Sequence, residues 1–120
     1  MRKIQIQWLE NREVAGIETA AFRVDGEWKS EGVYVIKVDG QVEYIGQTGN
    51  FQRRINDGYG HMCPANFAPN GRRTNVAINA KIVEAKKQGQ MVEFFFGKVE
   101  DRKTVESVMI NATHPAWNKI

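Results

Sequence analysis

Tyr34 and Tyr44 lie ten residues apart in two short sequences, Gly32-Val33-Tyr34 and Tyr44-Ile45-Gly46, placed about an Asp39-Gly40 pair. An arginine follows in the next segment, and a glutamate and an asparagine follow toward the C-terminus. These residue types suit phosphodiester chemistry. Hydrolysis of a phosphodiester needs an activated water, a group that neutralises charge growing on the equatorial oxygens, and stabilisation of the departing 3′ oxygen. A guanidinium supplies planar, permanently charged donors to phosphate oxygens, and a carboxylate supplies a hard oxygen ligand for a divalent cation.

Other polar residues invite competing chemistry. His61, Cys63 and His114 are metal-ligand types, but the His61 and Cys63 spacing is unlike a paired-ligand knuckle and no fourth ligand is evident. Arg72-Arg73-Thr74-Asn75 stands where a helix can start, so backbone N–H groups and the helix dipole would favour an anion there. Residues 50 to 87 carry Arg53, Arg54, Arg72, Arg73, Lys81, Lys86 and Lys87 against Asp57 and Glu84, a local charge of +5 within a chain of net charge +3. A basic segment in a near-neutral remainder suits a phosphate-binding face.

The elements that must position these residues follow from pattern. Ile4, Ile6 and Trp8 alternate with polar residues and predict one half-buried N-terminal strand, with a further short strand at about 20 to 25. Strands over 32–38 and 41–46 flank Asp39-Gly40, a strong hairpin signal. Asn50 caps a first helix to about Asp57, with Phe51 and Ile55 on its buried face and Gly58 at its end. Residues 58 to 74, rich in Gly, Pro and Asn, predict a long loop of the kind that is often functional. Thr74 or Asn75 caps a second helix bearing Val76, Asn79, Ile82 and Val83 and ending at Gly89. A strand from Met91 to Lys98 puts Phe94 and Phe96 on one face. Asp101 caps a third helix bearing Val105, Val108 and Met109, stopped by Pro115.

The chain of 120 residues, 42% hydrophobic and 26% charged, suits one mixed α/β (α+β) domain over 1–120: a small antiparallel sheet of about three core strands flanked by helices, with extra N-terminal strand(s). No apolar run approaches the ~18 residues of a membrane span, and the N-terminus lacks a secretory apolar core. The single Cys63 agrees with a reducing compartment, so the expected location is cytoplasmic, with no membrane partner.

Over about residues 32 to 118 the chain resembles the GIY-YIG nuclease family. Gly32-Val33-Tyr34 and Tyr44-Ile45-Gly46 stand for the two signature tripeptides. Arg54, ten residues after Tyr44, matches the family's essential arginine; Glu106 is similar to its metal-binding glutamate; and Pro115-Ala116-Trp117-Asn118 looks like its closing proline and asparagine. Many members carry His or Tyr one helical turn after the arginine. Here that position is Gly58, with Tyr59 and His61 just beyond as possible auxiliaries.

The resemblance implies a divalent-metal-dependent DNA endonuclease, restriction-like or of mobile-element or repair type. Glu106 would hold one Mg²⁺ (or Mn²⁺), an ion that keeps several waters and needs no full protein cage. Arg54 would bind phosphate oxygens. Tyr34 is the first candidate for general base, against an ordinary pKa of about 10. Tyr44 would bind the scissile phosphate or position the water, and Asn118 would hold a tyrosine or the metal environment in place. DNA contacts fall to Arg53, Arg72, Arg73, Thr74 and Asn75. Specificity would come from the 58 to 74 loop, the N-terminal strands, self-association or a protein partner. The alternative is a catalytically weak nucleic-acid-binding module that keeps the fold.

A shared site requires Tyr34 and Tyr44 on one face of the hairpin. A two-residue loop at Asp39-Gly40 would pair Tyr34 with Ile45 and put the tyrosines on opposite faces. A three-residue loop, Val38-Asp39-Gly40 with a bulge, would set Tyr34 directly across from Tyr44. The bulged hairpin is therefore the expectation.

Overall fold

In the computed structural model, which describes residues 1–119, the fold is mixed α/β. The main sheet is antiparallel and four-stranded, with two small two-stranded sheets beside it. The N-terminal alternation does not form one strand. Strand β1 (Arg2–Ile4) pairs with the main sheet, and β2 (Ile6–Trp8) pairs with β5 (Phe22–Val24), so the backbone changes partner at Gln5 while Ile4 and Ile6 both stay buried. Between them, β3 (Arg12–Val14) and β4 (Ile17–Thr19) form a hairpin that the sequence pattern did not announce. Its turn is Ala15-Gly16, both at positive φ.

The central hairpin joins β6 (Gly32–Val38) to β7 (Gln41–Thr48), and β8 (Val92–Lys98) completes the sheet in the order β1-β8-β6-β7. Its turn has two residues, Asp39 and Gly40, at φ 50° and 82°, with Val38 paired to Gln41. The expected three-residue loop is absent. The bulge lies inside β7 instead: Lys37 pairs with Val42 and Ile36 with Tyr44, which leaves Glu43 as the extra residue. That residue restores the parity a two-residue turn would have spoiled. Tyr34 pairs with Gly46 rather than Tyr44, and both tyrosines still share a face.

β6 is buried on both faces. One face, with Ile4, Tyr34, Ile36, Phe94 and Phe96, forms the main core with α1 (Phe51–Arg54) and α2 (Arg73–Lys87). The other, with Val33, Val35 and Ile45, is covered by Val105, Met109 and Ile110 of α3 (Arg102–Thr113). Val108 points to solvent, contrary to the expected stripe, and Ile110 takes the sheet-facing place. His114 adopts a left-handed C-cap at φ 51°, and the buried Pro115 starts a closing 3₁₀ turn, Ala116–Lys119.

Two helix boundaries differ from expectation. α1 is capped by Asn50, whose side chain accepts from Arg53 N–H at 3.0 Å, but the chain does not stop at Gly58. It widens into a π turn over Ile55–Tyr59, closed by Gly60 N–H to the Ile55 carbonyl at 2.8 Å. α2 starts one residue before Thr74, with Arg72 at the N-cap, so Asn75 sits in its first turn and is buried. The intervening segment is not wholly irregular: Pro64–Phe67 form a 3₁₀ turn, fastened by Asn66 Oδ1 accepting from Cys63 N–H at 2.8 Å.

Candidate active site

The site grows from the two glycines of the tripeptides. Tyr34 lies across from Gly46 with its ring against the facing backbone, so a Cβ at position 46 would run into the ring and hydroxyl. At Gly32 a Cβ would strike the Gly97 carbonyl and the Phe96 ring. The hairpin therefore closes tightly over the aromatic rings on its core face. Tyr34 contacts Tyr44 at 6.2 Å between ring centroids, Phe51 at 5.8 Å and Tyr59 at 6.0 Å, and Tyr44 meets Tyr59 edge-on at 6.4 Å. The Tyr34 and Tyr59 hydroxyls are hydrogen-bonded at 2.6 Å.

Tyr59 reaches this cluster because of the π turn. In a regular α-helix the residue four after Arg54 is Gly58; the extra residue per turn brings the fifth, Tyr59, over Arg54 instead. The Arg54 guanidinium lies 5.9 Å from the Tyr59 ring centre, and Arg54 makes no salt bridge among the described residues. Asn79 of α2 holds the turn, donating to the Tyr59 carbonyl at 2.7 Å while bonding both backbone groups of Ala20. An Asn in an apolar helix stripe was the visible signal for that role. His61 does not join the tyrosines. It is exposed, with Nδ1 3.4 Å from Arg12 Nη1, and it lines the neighbouring cleft.

Glu106 approaches from the other layer. β7 is an edge strand, and two of the expected site residues stand against its outer side. Asn118 clamps Ile45, accepting from its N–H at 2.9 Å and donating to its carbonyl at 2.8 Å. Glu106 lies near enough to the Gln47 backbone N–H for that dipole to favour its carboxylate form. Asn118 is thus a positioning residue for the strand that carries Tyr44 and Gly46. The Gln47 side chain is held in turn by Arg102 Nε at 2.9 Å, and Arg102 pairs with Glu31 at 2.6 Å. Sequence reading missed this brace, since nothing in the pattern links residues 31, 47 and 102.

Burial sets the protonation of the cluster. It pushes the Tyr34 hydroxyl well above its ordinary value, reinforced by Tyr44 and countered by the Tyr59 hydrogen bond and Arg54. Tyr44 and Tyr59 are raised for the same leading reason. All three are neutral phenols in this state, so the protein alone does not generate the phenolate that a general base at Tyr34 would need. Burial also raises the Glu106 carboxyl, opposed by the Gln47 N–H and then by Arg54. Glu106 and Arg54 both act on Tyr34 and Tyr44, so the five side chains form one electrostatic group.

Beside it lies a cleft of about 710 Å³ between the π turn and the start of α2, lined by Arg53, Arg54, Asp57, Arg72 and Asn75 among others. Two expected contact residues lie elsewhere. Arg73 lines a separate hollow with Phe67 and Val76, and Thr74 is exposed on the helix surface. No three metal-ligating side chains cluster among the described residues, so His61, Cys63 and His114 do not form a metal centre there. Glu106 would be a single protein ligand, which matches the chemistry of Mg²⁺: that ion is commonly held by one or two carboxylates, with waters and substrate phosphates completing its shell. Among the described residues no helix is long and apolar enough to cross a membrane. Comparison with protein-family models, with curated proteins and with solved structures finds no match to this chain.

Proposed function

We propose that this protein is a metal-dependent phosphodiester hydrolase acting on DNA, an endonuclease of the GIY-YIG type. The observation that carries the proposal is the convergence of Tyr34, Tyr44 and Tyr59 with Arg54 and Glu106, from β6, β7, α1, its π turn and α3, with Arg54 also lining a basic cleft. Arg54, free of any carboxylate partner among the described residues, would bind the scissile phosphate and neutralise its growing charge. Glu106 would hold one Mg²⁺ or Mn²⁺; when bound, such an ion polarises a phosphoryl oxygen and stabilises the departing 3′ oxygen. Tyr44, only half-buried, would orient the attacking water. To act as the base, Tyr34 would first give up its proton to solvent, a loss that Arg54 and a bound divalent ion would favour; the resulting phenolate, held by the Tyr59 hydroxyl, would then accept the attacking water's proton. Arg53 and Arg72 would carry neighbouring strand phosphates, and Asn118 would keep β7 in place.

The buried, mutually satisfied hydroxyls also favour a second reading, a nucleic-acid-binding module that cleaves weakly. Cleavage of supercoiled plasmid and single-stranded DNA with Mg²⁺, Mn²⁺ or EDTA, run beside Glu106→Ala, separates the two. Nicking or linearisation that requires metal and disappears in the variant is the expected result. DNA bound but never cut, with or without metal, would establish the second reading instead.

A further inference from the structure

The cleft has a second end, where α2 begins. Arg72 occupies the N-cap and makes no side-chain capping bond. The first bond of the helix runs from Val76 N–H to the Arg72 carbonyl, so the N–H groups of Arg73, Thr74 and Asn75 have no partner within the helix. A helix of 15 residues presents partial positive charge at this end.

Asn75 is an independent observation pointing the same way. It is only 3% exposed, it lines the cleft, and its side-chain amide makes no hydrogen bond to any described residue. Its neighbour Asn79, equally buried, bonds three backbone groups. No unbonded polar atom of that side chain is sealed from solvent, so the amide meets the cleft with its hydrogen-bonding capacity free for a ligand. Gly58 lies beside it, its Cβ position 3.6 Å from Asn75 Nδ2. The charged lining consists of Arg53, Arg54 and Arg72 against Asp57 alone, with His61 beside them.

We propose that this end of the cleft is an anion subsite for a non-scissile backbone phosphate, bound by the free first-turn N–H groups of α2 and the Asn75 amide, with Arg72 supplying charge. The inference rests on the hydrolase reading for the identity of the strand and deepens it. Arg54 lines the same cleft, so one strand runs from the tyrosines and Glu106 toward α2 and is gripped at two phosphates, whatever its base sequence.

The test is a titration of the whole chain with inorganic phosphate in EDTA, read by ¹H–¹⁵N amide shifts. Saturable shifts at Arg73, Thr74, Asn75 and the Asn75 side-chain amide are expected. Asn75→Asp should abolish them; because a buried carboxylate can unfold the chain, the exposed Arg72→Glu provides the second variant, with affinity reduced at least tenfold. A short single-stranded oligonucleotide should move the same amides and lose that effect in Arg72→Glu. Shifts that are absent at α2 or fail to saturate would overturn the subsite while leaving metal-dependent cleavage standing. Phosphate shifts that no oligonucleotide reproduces would overturn its assignment to a strand. Glu106→Ala should leave every phosphate shift unchanged, so loss of cleavage and loss of the subsite are told apart.

Discussion

A tyrosine hydroxyl taken out of water must find a partner, and Tyr34 and Tyr59 satisfy each other at 2.6 Å. Removing either oxygen alone leaves the other unpaired in the core, at a cost of about 1–3 kcal/mol; removing both deletes the problem. Urea denaturation of Tyr34→Phe, Tyr59→Phe and the double variant should therefore show a double loss well below the sum of the single ones, and additive losses would mean that the hydroxyls do not depend on each other. Glu106 illustrates the opposite case, a group whose charge the fold tolerates poorly. Burial raises its pKa above the ordinary 4.5, so the unfolded chain releases this proton at lower pH than the folded one does. Its contribution to stability is complete below the unfolded value and is lost as pH rises through the folded one. Glu106→Gln should consequently raise Tm at pH 7 by a small margin that disappears below about pH 4, while abolishing cleavage. A variant less stable than the parent at pH 7 would contradict the assigned strain.

At the scale of elements, two local irregularities, each accommodating one extra residue, are built into the site. Glu43 in β7 restores the parity of the hairpin, and the π turn after α1 brings Tyr59 rather than Gly58 over Arg54. Deleting Glu43 should give a regular ladder in which Tyr44 still pairs with Ile36, so the variant should fold and keep metal-dependent cleavage within about tenfold of the parent; an intact fold without activity would show that the bulge does more than set parity. These features also mark where sequence reading stopped. Asp39-Gly40, Asn50, Gly89 and the Phe94 and Phe96 alternation were legible because turn, cap and strand signals are local. The shared face of Tyr34 and Tyr44 was anticipated, but its cause was misplaced to the turn, since a bulge depends on pairing that no local pattern records. The break at Gly58 was read as a helix end because Gly usually serves there, whereas Asn79 and the Phe22 backbone hold the chain in a wider turn. The N-terminal alternation gave the correct buried face and the wrong partners, since burial repeats along a chain while hydrogen bonding can switch sheets.

Over the whole molecule, charge is arranged rather than abundant. The net value of +3 conceals a cleft lined by Arg53, Arg54 and Arg72. Three lysines elsewhere are engaged locally: Lys3 with Glu93 at 2.7 Å, Lys87 with Glu18 at 2.7 Å, and Lys37 over the Phe95 ring. If a strand follows the cleft, only the residues along it release counterions, and affinity measured without metal should fall with salt in proportion to their number. Replacing Arg53 by Ala should weaken binding of single-stranded DNA and lower the slope of log K against log salt by about 0.7, the contribution of one phosphate contact on a single strand. Lys3→Ala, at the far edge of the sheet where β1 pairs with β8, should leave the slope unchanged. Arg73 faces a different hollow from the cleft, so Arg73→Ala is the more discriminating variant: a slope close to the parent's keeps the strand within the cleft. A fall equal to that of Arg53→Ala would place phosphates on both sides of the α2 start, widening the footprint from a single strand to a duplex laid across the helix.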